Sequence, residues 1–101
     1  MERGGCIYIM TNYQRTTLYI GVTSDLRSRI YEHQYKIYPK SFTAKYNLSI
    51  CVYYEVYTSI EEAIDREKQL KKWNRAKKDA LISNFNKDWN DLTKVISDWD
   101  D

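Results

Sequence analysis

The stretch Leu18-Tyr-Ile-Gly-Val-Thr-Ser-Asp-Leu-Arg-Ser-Arg-Ile-Tyr-Glu-His33 changes from the pattern of a strand to that of a helix. Residues 18–22 alternate apolar side chains with other types, and Gly21 lies inside this run, as in a strand. Ser24 is a residue type that caps helix N-termini, and a helical pattern follows it through His33. The stretch therefore predicts a strand that leads directly into a helix.

The rest of the chain adds two strands and two helices to this unit. Runs rich in Val, Ile and Tyr predict strands at 6–10 and 48–57. Ser59-Ile-Glu-Glu62 has a capping-box pattern that predicts a helix over 60–73, and a further helix is expected over 76–85. This order predicts an α+β fold with a small three-stranded antiparallel sheet flanked by helices.

Length and composition predict one intracellular domain. The chain has 101 residues, and we expect a domain over 1–92 followed by an acidic tail over 93–101. Cys6 and Cys51 lie in apolar runs, which favours buried thiols in a reducing cytoplasm over a disulfide or a metal site. No secretory signal and no apolar run of membrane-spanning length is visible, so no membrane partner is expected.

The net charge of +2 is unevenly distributed along the chain. Residues 1–78 carry 14 Lys and Arg against 8 Asp and Glu, whereas residues 79–101 carry 2 against 6. Charge alone leaves open whether the body binds a polyanion or is merely solvated. The cations predicted to contact a nucleic-acid backbone are Lys45, Lys68, Lys71, Lys72, Arg75, Lys77 and Lys78. Trp73, within this basic run, is expected in the core, and residues 36–47 are expected to form a basic loop.

Two tyrosines and a glycine are expected on one face of the first two strands. Side chains alternate faces along a strand, so a hairpin can place Tyr8, Tyr19 and Gly21 on the same side. The missing side chain at Gly21 would leave room for an incoming group to approach the backbone. The alternative is a pair of packed tyrosines beside a glycine that ends a strand.

Arg29, His33 and Glu67 are the candidate charged and proton-transferring groups. Arg29 and His33 are four residues apart on one helix face, and they suit phosphate binding and proton transfer, or else a solvated cation beside a partly buried imidazole. Glu67 falls within the apolar stripe of its helix, where a carboxylate is costly unless it binds a metal or pairs, for example with Arg29. Together these groups suit metal-assisted phosphodiester hydrolysis.

The chain resembles the small stand-alone GIY-YIG endonucleases over roughly residues 5–92. The two parts of the family name correspond to Cys6-Ile-Tyr8, with Cys in place of Gly, and to Tyr19-Ile-Gly21. Residues 24–33, 42–47, 63–73 and 89–92 resemble later family segments in the same order. The resemblance implies the three-stranded α+β fold of that family.

The resemblance also implies catalytic roles. Tyr8 and Tyr19 would bind and activate the attacking water, Arg29 would hold the scissile phosphate, and His33 would assist proton transfer. Gly21 would leave space in the site for the phosphate and the water.

A single Mg²⁺ or Mn²⁺ ion and a further polar residue are implied as well. Glu67 would be the only carboxylate ligand of the ion. The family often has a C-terminal asparagine near the phosphate or the sheet, for which Asn86 is the first match and Asn74 the second.

These roles imply a metal-dependent DNA endonuclease active in DNA repair or processing. Because no targeting domain is visible, we expect low sequence specificity, a preference for single-stranded or branched DNA, or a protein partner that delivers the enzyme. A non-catalytic nucleic-acid-binding module on the same fold is the alternative. A protein-interaction domain that uses the Trp-bearing tail is a third possibility.

Overall fold

The computed structural model describes residues 4–99. In chain order the elements are β1 (Gly5–Thr11), β2 (Leu18–Thr23), α1 (Leu26–Gln34), α2 (Phe42–Lys45), β3 (Ile50–Tyr57), α3 (Ile60–Lys71), α4 (Arg75–Phe85) and α5 (Thr93–Ser97). The strands form one antiparallel sheet in the order β2-β1-β3. This confirms the predicted α+β class and the three-stranded sheet with flanking helices.

Helices cover both faces of the sheet, and β1 lies buried at its centre. The core on what we call the α1 face consists of Cys6, Tyr8, Met10, Leu26, Ile30, Leu48, Cys51 and Ile96. The core on the α3 face consists of Ile7, Ile9, Ile20, Val52, Tyr53, Ala63, Leu70 and Ile82. Strand alternation divides β1 between the two cores. A register shift in the β1–β3 pairing brings both Val52 and Tyr53 to the α3 face.

The cap of α1 differs from the prediction. Asp25, not Ser24, is the N-cap, and its carboxylate accepts a hydrogen bond from the Ser28 N–H at 3.2 Å. The Asp25 N–H itself donates to the Thr23 hydroxyl at 3.0 Å. With this bond, the N-terminus of α1 lies one residue later than the sequence pattern predicted.

The predicted loop over 36–47 contains the short helix α2. Ser41 caps this helix, because its hydroxyl accepts a hydrogen bond from the Ala44 N–H at 3.3 Å. The Leu48 N–H donates to the Thr43 carbonyl at 2.8 Å and closes the turn after the helix. That bond keeps Leu48 out of the sheet, so β3 begins at residue 50 and not at residue 48.

Ser59 caps α3 as predicted, since its hydroxyl accepts a hydrogen bond from the Glu62 N–H at 3.2 Å. The helix ends at Lys71, two residues earlier than expected, because the Trp73 N–H bonds to the Leu70 carbonyl in a tighter last turn. Asn74 then caps α4 by accepting from the Lys77 N–H at 2.9 Å. The second candidate for the catalytic asparagine therefore has a structural role.

Most of the predicted acidic tail packs onto the domain. Ile96 in α5 is fully buried on the α1 face, and Trp99 packs at the edge of the same core. The preceding segment follows the open edge of β3, where the Leu92 N–H donates to the Cys51 carbonyl at 2.7 Å. Residues 100–101 lie outside the described residues, and the predicted domain boundary at residue 92 stays a prediction.

Both thiols are buried, as predicted, and they form no disulfide with each other. Burial raises the pKa of Cys6 to about 11 and that of Cys51 to about 12. No helix within the described part of the chain has the length and apolarity needed to span a bilayer.

Candidate active site

The pairing of β1 with β2 places Tyr8 directly across from Gly21. A Cβ atom on Gly21 would overlap the tip of the Tyr8 ring. Any larger residue at position 21 would therefore displace the phenol. Tyr8 itself fills the space predicted for an incoming phosphate and water. Because Gly21 has no side chain, it leaves room for the Tyr8 ring.

Tyr8 and His33 are joined through a partly buried hydrogen bond. The Tyr8 hydroxyl lies 2.8 Å from Nε2 of His33, and Nδ1 of His33 lies 2.9 Å from the hydroxyl of Thr43. Burial raises the pKa of Tyr8 well above its ordinary value. Burial, followed by the charge of Arg29, lowers the pKa of His33 to about 4. Both groups are therefore neutral at neutral pH.

The hydrogen bonds also assign the proton on the imidazole. Within residues 4–99, the buried Tyr8 hydroxyl bonds to His33 alone, so it donates its hydrogen to Nε2. The remaining ring proton is then on Nδ1, which donates to the Thr43 hydroxyl. Thr43 in turn lies 3.2 Å from the Ser41 hydroxyl. His33 is thus fixed in orientation and holds an accepting nitrogen against the Tyr8 hydroxyl.

Tyr19 lies on the open side of this pair. Its ring centroid is 6.3 Å from that of Tyr8 and 5.9 Å from that of His33. It borders a pocket of about 280 Å³ that is lined by Tyr19, Arg29, Glu32, His33, Tyr38, Ser41, Phe42 and Thr43. Tyr8 is almost fully buried behind this wall. Tyr19, Arg29 and His33 are the predicted catalytic residues that face the pocket.

Arg29 lines the pocket and forms a weak ion pair with Glu32. Its guanidinium is 3.5 Å from the Glu32 carboxylate, and its side chain is 40% exposed. An exposed pair of this kind contributes about 1 kcal/mol or less. A phosphate group could therefore displace Glu32 from the guanidinium at little cost.

Glu67 approaches the site from α3. Its side chain is only 15% exposed, and its carboxylate lies 3.4 Å from the exposed Lys71 ammonium. Its charge is close enough to contribute to the raised pKa of Tyr8, after the larger contributions of burial, Tyr19 and Cys51. The alternative pairing of Glu67 with Arg29 does not occur, since Arg29 pairs with Glu32.

The surroundings of Glu67 fit a hard divalent ion held by one carboxylate. In the range 4–99 no group of three His, Cys, Asp or Glu side chains converges on a point where an ion could be held. One carboxylate together with water and substrate oxygens is a ligand set that Mg²⁺ accepts, and Glu67 could be that carboxylate. The Glu67 carboxylate is mostly buried, and its ion pair with the exposed Lys71 is weak, which agrees with a role as a metal ligand.

Asn86 is not brought into the pocket. Its side-chain amide donates to the Val52 carbonyl at 3.1 Å and to the Asn90 carbonyl at 2.8 Å. Val52 is the residue of β3 left without a partner in β1 at the register shift. The amide of Asn86 satisfies this backbone group, and none of its hydrogen bonds reaches the other predicted catalytic side chains.

Most of the cations predicted to contact a nucleic acid are exposed, but some of them already bind other groups of the protein. Lys45, Lys68, Lys71 and Lys72 are exposed. Arg75 is committed to the fold, because it pairs with Asp79 at 2.7 Å and donates to the carbonyls of Arg15 and Thr16. Trp73 is partly buried against the α3-face core. The Lys77 ammonium lies 4.4 Å from the centroid of the Trp73 ring. Lys78, also in α4, is partly buried.

Sequence reasoning missed the support that α2 gives to the site. Thr43 is buried and orients His33, and Phe42 borders the pocket. A four-residue helix is too short to show a hydrophobic period. The available signal was Ser41, a capping residue placed three positions before Ala44.

A comparison with protein families agrees with this geometry. The GIY-YIG catalytic domain matches residues 4–80, which is most of the chain. Neither a comparison with curated proteins nor one with solved structures gave a significant match. The matched range contains both tyrosines, Arg29, His33 and Glu67. The chain belongs to the GIY-YIG family, a family of phosphodiesterase nucleases that generally use a divalent metal ion.

Proposed function

We propose that this protein is a metal-dependent DNA endonuclease that cuts single-stranded or branched DNA with low sequence specificity. The observation that carries the proposal is the joining of Tyr8, His33 and Tyr19 beside a pocket that also holds Arg29. A phosphate bound at Arg29 would lie beside groups able to accept a proton. A non-catalytic binding module would have no need of such a proton pathway.

Arg29 binds the scissile phosphate and offsets the charge that develops on its oxygens. Tyr19 holds the attacking water at the pocket wall. The water passes a proton inward to Tyr8, while Tyr8 passes its own hydroxyl proton to Nε2 of His33. A bond forms between the water oxygen and phosphorus, and the bond to the leaving oxygen breaks. His33 holds the proton only weakly, because burial lowers its pKa to about 4, so it returns the proton to the leaving group.

Glu67 would hold the divalent ion, which when bound stabilises charge on the phosphate oxygens. Lys71, which pairs with Glu67, would be released to the solvent or to a substrate phosphate.

Low sequence specificity is supported by the kind of cation on the surface. The exposed Lys68, Lys71 and Lys72 can contact phosphates, which orient a nucleic acid but do not read its bases. Such binding weakens steeply as salt rises, because bound counterions are released.

The test is a cleavage assay on labelled DNA in single-stranded, duplex, flap and branched forms, with single-stranded RNA as a further substrate. Each is incubated with Mg²⁺, with Mn²⁺ and with chelator. Glu67→Gln should abolish metal-dependent cutting, whereas Glu61→Gln, an exposed carboxylate on the same helix, should cut like the wild type.

If Glu67→Gln and Glu61→Gln both cut like the wild type, Glu67 has no role in the mechanism. If the wild type cut no substrate but showed salt-sensitive binding, the alternative of a binding module would replace the nuclease. Preference for duplex DNA would refute the proposed structure specificity alone.

A further inference from the structure

The short helix α2 has two dissimilar sides. Thr43 and Ala44 point into the core, where Thr43 orients His33. Phe42 and Tyr46, four residues apart, lie on the outer side, and each is 47% exposed. One helical turn therefore both supports the proton pathway and presents two aromatic rings to the solvent.

These rings continue the active site outward. The Phe42 ring is stacked on Tyr19, with centroids 6.1 Å apart and planes inclined by 28°. The Tyr46 ring follows, with its centroid 4.7 Å from that of Phe42. Tyr19, Phe42 and Tyr46 thus form a continuous row, which we call the aromatic row, from the pocket to the surface.

The exposure of this row has no explanation in the fold. Phe42 has no polar atom that would benefit from water, yet half of its surface is open at the edge of the pocket. Tyr38 also borders the pocket and is largely exposed. Exposed aromatic rings grouped at a pocket indicate a surface that a ligand covers.

Cations lie beside the row. Arg29 is in the same pocket, and the Lys45 ammonium lies 5.6 Å from the centroid of the Tyr46 ring. Flat apolar rings next to positive charges are complementary to an unpaired nucleic-acid strand, whose bases stack and whose phosphates pair. Bases in a duplex are already stacked on each other, so they cannot offer their faces to these rings.

We infer that Phe42 and Tyr46 form a stacking platform for unpaired bases next to the scissile phosphate. This inference rests on the proposed nuclease function and extends it, because it identifies the groups that favour unpaired strands. The first base would stack on Phe42 and the next on Tyr46, while Lys45 would contact the phosphate between them.

The test measures binding in chelator, where cutting does not occur, with single-stranded oligonucleotides that carry 2-aminopurine. Stacking on an aromatic ring quenches the fluorescence of this base. Phe42→Leu and Tyr46→Leu should each weaken binding about 10-fold and reduce the quenching. The matched control is Tyr13→Leu, since Tyr13 is 80% exposed and lies in the β1–β2 connection, and its binding should equal that of the wild type.

A second measurement requires no variant. A strand with abasic spacers in place of the central bases should bind the wild type about 10-fold more weakly than the intact strand. Equal binding of the two strands would overturn the platform, as would wild-type binding by both Phe42→Leu and Tyr46→Leu.

The outcomes separate this inference from the nuclease itself. If Phe42→Leu and Tyr46→Leu both cut and bind single strands like the wild type, the platform is refuted and the nuclease stands. If the wild type cuts nothing, yet the abasic strand and both variants bind weakly, the nuclease is refuted and the platform stands.

Discussion

Two groups of side chains that contain hydrogen-bonded tyrosines lie on opposite faces of the sheet, and they differ in what the phenols contact. On the α1 face, Tyr8 bonds to the neutral ring of His33. On the α3 face, Tyr53 and Tyr57 both donate to the carboxylate of Glu55. We call the second group, with Arg66, the clamp.

The clamp joins β3 to α3. Arg66 binds both carboxylate oxygens of Glu55, with distances of 2.9 Å from Nε to Oε1 and 3.1 Å from Nη2 to Oε2. Burial alone would raise the pKa of Glu55, but the hydrogen bonds from Arg66, Tyr53 and Tyr57 outweigh burial and lower it. The carboxylate is therefore charged and fully committed at neutral pH.

The hydrogen-bond partner of a buried tyrosine determines whether its hydroxyl can transfer a proton. In the clamp, burial and the bond to Glu55 raise the pKa of Tyr57 to about 12, and its hydroxyl donates to a carboxylate and not to a neutral imidazole. In the active site, an imidazole with a free electron pair accepts from Tyr8 and can pass a proton on. The first arrangement holds the fold together, and the second can take part in chemistry.

The largest expected effect is a difference between Tyr8→Phe and Tyr53→Phe. Tyr8→Phe keeps the ring beside Gly21 but removes the hydroxyl that bonds to His33, so single-turnover cleavage should fall roughly 10²- to 10⁴-fold. Tyr53→Phe removes a hydroxyl of the clamp and should leave the cleavage rate unchanged. Thermal unfolding of both variants checks that each one folds.

Equal losses of cleavage in the two variants would show that the phenols on both faces act through stability. Unchanged cleavage by a folded Tyr8→Phe would show that the Tyr8–His33 hydrogen bond carries no proton in the reaction.

A smaller effect is expected from breaking the clamp. Arg66→Leu leaves the mostly buried Glu55 carboxylate without its cation, so the free energy of unfolding should fall by about 1–3 kcal/mol. Urea unfolding at pH 7, followed by tryptophan fluorescence, measures the loss. Lys68→Leu, an exposed cation on the same helix, is the control and should change stability by about 0.5 kcal/mol or less. A similar loss in both variants would mean that the clamp adds nothing beyond a surface charge.

The sequence predicted the grouping of side chains in the candidate active site better than that in the clamp, for a physical reason. Tyr8, Tyr19 and Gly21 follow strand alternation, and Arg29 and His33 follow helical spacing. These local periods allowed the grouping, and the family resemblance selected it over the alternatives. The clamp joins residue 55 to residue 66 across two elements, and only the packing of α3 on the sheet brings them together.

The position of Asn86 could not be read from the sequence either. Its role depends on the register shift between β1 and β3, which leaves the Val52 carbonyl to be satisfied by a side chain. Strand patterns give no sign of such a shift until both partners are paired. The filling of the space at Gly21 by Tyr8 was hidden in the same way, because it depends on the pairing of β1 with β2.

The smallest expected effect is a difference in how the stability contributed by the active site and by the clamp depends on pH. His33 is the only histidine, and its pKa is about 4 in the folded chain against an ordinary 6.5. Between these values the unfolded chain binds a proton that the folded chain does not, so stability is complete above pH 6.5 and falls as the pH drops toward 4. The lowered pKa of Glu55 makes the clamp lose stability only below about pH 4.5.

Urea unfolding at pH 7 and pH 5 should therefore report on the active site alone. The wild type should lose about 1–2 kcal/mol between the two pH values, and Glu55→Gln should lose as much. His33→Gln, which cannot titrate, should lose almost nothing over the same interval. If His33→Gln lost as much stability as the wild type, the imidazole would be protonated in the folded chain at pH 5, and it could not accept the Tyr8 proton there.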